Sequence, residues 1–360
     1  MKHGKKTQEK TYKVEPPAHY QPAWISYLSM TTGILKSLGH NIDITDTGGY
    51  TGYAFHLNTS RGGTCPSAPT CADFDSFAEG IESFGWKVEQ TWDGFDYGYP
   101  MHEEGTARAK AHFYTLKKLI REIKRPIGIW GVYVPEFAIM NGYTGENYIV
   151  STFRHPQNGE ETIKFNDLCA PGGLFTLVFK ESFPVTDQRS NDKKAIERAL
   201  KIARGFKGIT SEIHKGYASG VEMFDELAKI LERGVVPKSE QEMHELKGTD
   251  SLFLLYHGNS YTAACNQEGL ALAADFLDRM SKKYKGDPFY NDLETASAEY
   301  STASDLMREF TEIFPFSQQK DYDPSEFSTE KRAKGARLLQ SAKPHVEAAM
   351  QRLEEAFRMW

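Results

Sequence analysis

The sequence predicts an α+β protein whose two halves differ in kind. Up to about residue 187, stretches with strand alternation and stretches with helical spacing follow one another, whereas from 190 onward helical periodicity dominates. No repeat of fixed period links the halves, so a solenoid is not expected. The expected organisation is an N-terminal arm at 1–22, an α+β domain at 23–187 and an all-helical domain at 190–360.

Each element has a local reason. Pro16, Pro17 and Pro22 keep helix out of the arm. A helix is expected over 24–38, starting near Ser26, with apolar or small residues on one face and Gly39 at its end. The glycine-rich stretch 46–63 contains the alternating run YAFHLN, which suits a short strand between turns. Asp73 is placed to cap a helix over 74–84, where Phe74, Phe77, Ile81 and Phe84 recur at helical spacing before Gly85. A strand at 87–92 precedes a long amphipathic helix at 102–126, stopped by Pro126.

Three short strands follow at 127–133, 136–142 and 147–153, with Gly145 in the turn of the last hairpin. Residues 155–168 read as a loop and a further strand pair, and 172–181 as a central strand too short for an independent helix. Helices are expected at 191–204, 215–233, 240–247, 249–281, 288–314 and 328–357.

Composition narrows the class. The chain has 39% hydrophobic, 26% charged and 12% aromatic residues, a soluble profile with many rings for a core or a pocket. Its formal net charge of −6 argues against broad binding to nucleic-acid backbones. The first residues, MKHGKKTQEKTYKVEPP, hold no apolar core for a signal peptide, and no run is apolar enough for a membrane span. A cytoplasmic protein is expected. Its cysteines, Cys65, Cys71, Cys169 and Cys265, are then thiols rather than a disulfide framework. The spacing CPSAPTC is wider than paired zinc ligands use, so no metal and no cofactor are expected.

Several stretches together resemble one family. They are PAWISYLSMTTGILKSLG, then GGYTGYAFHLN with CPSAPT, then RPIGIWGVYVPEFAIMNGY, and in the tail KGYASGVEMFDEL. They resemble the papain-like proteins related to the butirosin biosynthesis acyltransferase H, distant relatives of the double-glycine leader peptidases. The resemblance implies a papain-like domain followed by a helical one. Active members of that fold use a thiolate, an imidazole and a third residue that orients the ring. Carried over residue by residue, the cysteine position falls on Ser26 and the histidine position on Glu136. The third position falls within 151–154, where no Asp or Asn stands. A Ser–Glu pair is a poor nucleophilic system, because a carboxylate takes a serine proton only when burial raises its pKa.

Each candidate also has a plainer reading. Ser26 could be a helix cap and His56 an ordinary strand histidine. Cys65 and Cys71 could be small buried apolar groups, and His257 and Cys265, eight apart, a packing pair. The stretch WDGFDYGYP (92–100) is loop-like and rich in rings that could wall a flat or apolar ligand.

The expectation is a binding protein for a small molecule or an acyl intermediate, free or carrier-bound, on a papain-like scaffold without its Cys–His pair, in specialised metabolism. The ligand would lie between the two domains, lined by Phe55, His56, Cys65, Trp92, Phe95 and Tyr97 beside Ser26 and Glu136. The alternatives are an active acyltransferase or amidase using Ser26 or Cys65, and a partner-binding module that pairs in a homodimer through its helical tail.

Overall fold

The computed structural model of the protein describes residues 11–61, 67–155, 159–205, 215–233, 260–316 and 324–360. Its first elements are β1 (Tyr12–Lys13), α1 (Ser26–Ser37), α2 (Ile44–Thr51), β2 (Asn58–Ser60), α3 (Phe74–Ile81) and β3 (Trp86–Trp92). Then come α4 (Glu103–Ile123), β4 (Ile127–Trp130), β5 (Phe137–Thr144), β6 (Asn147–Ser151), β7 (Glu161–Lys164) and β8 (Phe175–Ser182). The remainder is α5 (Gln188–Ala203), β9 (Tyr217–Ser219), α6 (Glu222–Arg233), α7 (Ser260–Lys283), α8 (Tyr290–Ile313) and α9 (Thr329–Met359). The protein is thus a mixture of helices and antiparallel sheet. Among the described residues no helix is long and apolar enough to cross a membrane.

The chain divides into two compact units. One comprises Met1–Thr47 and Phe84–Val185, the other Gly48–Ser83 and Thr186–Trp360. Residues 48–83, which the sequence pattern groups with 23–187, therefore belong with the helical half.

In the first unit, an antiparallel sheet runs in the order β3-β8-β4-β5-β6-β7, with β1 also paired to β5. Its central strands β4, β5 and β6 are buried on both faces, each face having a helix to cover it, whereas the outer strands β3 and β7 are largely polar and exposed. On one face lies α1, buried from Ser26 to Leu35. Its Tyr27 meets Phe137 edge-on at 5.3 Å. On the other lies α4, whose Phe113 packs against Tyr148 at 4.8 Å and Tyr143 at 6.5 Å. Burying a ring such as Phe113 contributes about 2–3 kcal/mol.

The arm is not loose. The Val14 amide donates to the Asn141 carbonyl at 2.9 Å, and the buried Asn141 side chain bonds both the amide and the carbonyl of Ala18, at 2.9 and 2.8 Å. Asn141 sits at the register shift of β5, where a bulge turns it toward the arm. Gly142 beside it is required, because a Cβ there would lie 2.1 Å from the Tyr12 carbonyl oxygen.

The second unit is built from α5 to α9 with α3 and the two-stranded β2–β9 ladder. The buried Asn266 of α7 stands in for a strand partner: its Oδ1 accepts the Asn58 amide at 3.1 Å and its Nδ2 donates to the Asn58 carbonyl at 2.9 Å. Pro344 lies inside α9 without ending it.

Several expectations change. The stretch 46–63 holds the end of α2 and a short 3-10 turn (Tyr53–Phe55) before β2, so YAFHLN is strand only at its last residue. The helix expected at 215–233 is β9 followed by α6, because β2 supplies Tyr217–Ser219 with a partner. Among the described residues of 155–168 there is one strand, β7, where a pair was expected. The helix expected at 240–247, and 249–259 of the next one, lie outside the described residues.

Candidate functional site

One end of the sheet gathers most of the candidate residues of the first unit. Trp92 of β3 pairs with Phe175 of β8, Trp130 of β4 with Phe137 of β5, and Val150 of β6 with Glu161 of β7. Because neighbours are antiparallel, β3, β4 and β6 finish here while β5, β7 and β8 begin here. The start of α1 joins them. The Phe137 amide donates to Ser26 Oγ at 3.2 Å.

That hydrogen bond ties Ser26 to the residue that follows Glu136, through the Phe137 backbone and not through the Glu136 side chain. Ser26 is only 5% exposed and is the first residue of the helix. It is not the cap: Ile25 holds that place, and no side chain caps the end. Glu136 lies just before β5 rather than in it, half-buried. Its carbonyl accepts the amides of Gly131 at 3.0 Å and Val132 at 3.4 Å, which closes 131–136 into a tight connection.

Toward β3 the sheet end is aromatic. Trp92 lies 5.7 Å from Trp130 and 5.4 Å from Phe175, and Trp130 lies 4.7 Å from Phe137. Trp92 is 38% exposed, so one face of this group meets solvent. Its indole N–H donates to the Gly172 carbonyl. Phe95 is half-buried, with the Arg108 guanidinium 4.0 Å from its ring centre. Tyr97 departs from the expected ligand wall. It is buried, its hydroxyl donates to Asp93 Oδ2 at 2.6 Å, and burial, then Asp93, push its pKa far up. The sequence pattern could not show this, because Asp93 is anchored by a residue far away in the chain, its Oδ1 accepting the Leu174 amide at 2.9 Å.

Toward β7 the sheet end is polar. Glu161 Oε1 accepts the Thr152 hydroxyl at 2.8 Å, and its Oε2 lies 3.4 Å from Arg154 Nη1 and 3.9 Å from His155 Nε2. The Arg154 guanidinium lies 4.3 Å from the ring centre of Tyr133, a residue with φ of 68°. Burial, then Glu161, push the Tyr133 phenol up. Tyr133 and Glu161 have no signature in the sequence: the first is one aromatic among many in an apolar stretch, the second one of two adjacent glutamates.

The remaining candidates come from other stretches of the chain, and of these Cys169 reaches the sheet end, its amide donating to the Gly131 carbonyl at 2.7 Å. Phe55 and His56 belong to the second unit, both buried: Phe55 meets Tyr300 edge-on at 5.5 Å, and His56 meets Tyr53 at 5.4 Å. Cys65 and His257 lie outside the described residues. Among the described residues, Cys71, Cys169 and Cys265 form no disulfide. Burial pushes the Cys169 thiol up, away from the thiolate that nucleophilic chemistry needs. No protein-family model matches the sequence, and no curated protein matches it either.

Proposed function

We propose that the protein is a papain-like scaffold without its usual chemistry, binding a small molecule or an acyl group, free or carrier-bound, at the sheet end where α1 begins. The observation that carries this reading is the Ser26–Phe137 hydrogen bond. It supports the reading by tying Ser26, on a buried helix packed against antiparallel sheet, to the residue that follows Glu136. The residues there are wrong for catalysis and right for binding. Ser26 Oγ is engaged as an acceptor, and a carboxylate one residue before Phe137 has no imidazole to relay a proton. The exposed face of Trp92 offers apolar contact next to them.

Restoring the missing groups tests the match. The Ser26→Cys/Glu136→His double variant should react with iodoacetamide at neutral pH at least ~10-fold faster than Ser26→Cys alone, through an imidazole-stabilised thiolate. Equal rates would overturn the papain-like reading. An acyl adduct on Ser26 of the wild-type protein, seen by mass after exposure to an acyl thioester, would instead support the active acyltransferase.

A further inference from the structure

The polar side of the same sheet end has a design of its own. Three contacts hold Arg154: its guanidinium stacks on Tyr133, its Nη1 faces Glu161, and its amide donates to Thr152 Oγ1 at 3.2 Å. Thr152 in turn donates to the other oxygen of Glu161. The carboxylate at the centre is largely covered, with 13% of its side chain exposed, whereas Arg154 is 47% and His155 57% exposed. The face this cluster turns to solvent therefore presents the Arg154 guanidinium and the His155 ring. Tyr133 keeps its place in the stack at φ 68°, a conformation that tyrosine seldom adopts. A guanidinium with one face on a ring and one edge on a carboxylate is pre-organised, and its remaining N–H groups are free to receive an oxyanion.

We propose that Arg154, with His155 beside it, is an oxyanion subsite, and that the ligand joins an apolar group to a carboxylate or phosphate. The apolar group would lie toward Trp92 and the anion toward β7. This rests on the binding reading above for the apolar half alone; Tyr133, Arg154 and Glu161 play no part in the papain-like match.

Four probes test it by calorimetry: octanoate, octyl phosphate, octan-1-ol and inorganic phosphate. Octanoate or octyl phosphate should bind the wild-type protein at least ~10-fold more tightly than octan-1-ol, and the stronger of the two identifies the anion. Inorganic phosphate alone should bind more weakly than octyl phosphate. Arg154→Gln should abolish the preference for the anion over the alcohol, and Arg154→Lys should keep part of it. Tyr133→Gly, which suits the positive φ but removes the stack, should lower the preference without lowering the melting temperature. No preference in the wild type, no binding of any probe, or a preference that survives Arg154→Gln would overturn the subsite. Labelling of the Ser26→Cys/Glu136→His variant needs no ligand, so failure of the scaffold reading shows separately.

Discussion

Glu161 in the first unit and Asp192 in the second are both carboxylates surrounded by hydroxyl and basic side chains, and their surroundings differ in completeness. Asp192 is fully buried. It accepts hydrogen bonds from the hydroxyls of Tyr50 and Tyr284, each at 2.6 Å, from Gln188 Nε2 at 2.8 Å, and from the Lys283 ammonium. Those donors come from α2, α5, α7 and the residue just after α7, so one carboxylate ties separate segments together. Glu161 draws its neighbours from a short run of chain around 152–155 and from Tyr133, and the Arg154 and His155 side chains beside it stay exposed. A carboxylate with every lone pair engaged in the interior holds structure. One that props an exposed guanidinium can hold a ligand.

Breaking the two clusters should give unequal losses. Asp192→Ala strands two phenols and an ammonium, and should cost about 3–5 kcal/mol in urea denaturation, toward the low end because Lys283 can turn to water. Glu161→Gln should cost under about 1 kcal/mol. Equal losses would erase the distinction between them.

Alkali addresses both units at once. Tyr27 and Tyr148 in the first unit and Tyr300 in the second are fully buried, and burial pushes their phenols far above the usual range. The folded state keeps these protons while the unfolded chain releases them above pH ~10, so stability is whole below that pH and falls as pH rises through it. The slope is roughly 1.4 kcal/mol per pH unit for each such phenol. Phenolate absorbance should appear together with unfolding. A gradual rise in the intact protein would mean that water reaches these rings.

A further effect concerns the sheet end itself. Ser26→Ala removes the acceptor of the Phe137 amide and should cost about 1–2 kcal/mol, read as a lower melting temperature. A neutral result would mean that the start of α1 is held by its apolar contacts alone.

Some of this was legible in the sequence. The periodicity of 74–84 and 102–126, the Asp73 cap and the apolar strand runs placed α3, α4 and most of the sheet to within a few residues. The cap is real: Asp73 Oδ1 accepts the Ser76 amide at 3.1 Å. These are local features, set by residues three or four apart on a helix or two apart on a strand. At the candidate site, Trp92 and Phe95 were legible from the ring-rich stretch 92–100, whereas Ser26 and Glu136 were singled out only because a resemblance suggested roles for them.

Tertiary structure decided the rest. Strand pairing put Tyr217–Ser219 into a ladder that its neighbours' helical spacing concealed. Asn141 and Asn266 each satisfy backbone groups more than a hundred residues away, and nothing near them in the chain announces it. The same holds for the Arg154–Tyr133 stack and for the assignment of 48–83 to the helical unit. Local pattern specifies which face of an element is apolar. Which distant backbone or ring meets that face depends on the order in which strands lie side by side, and only the folded chain contains that order.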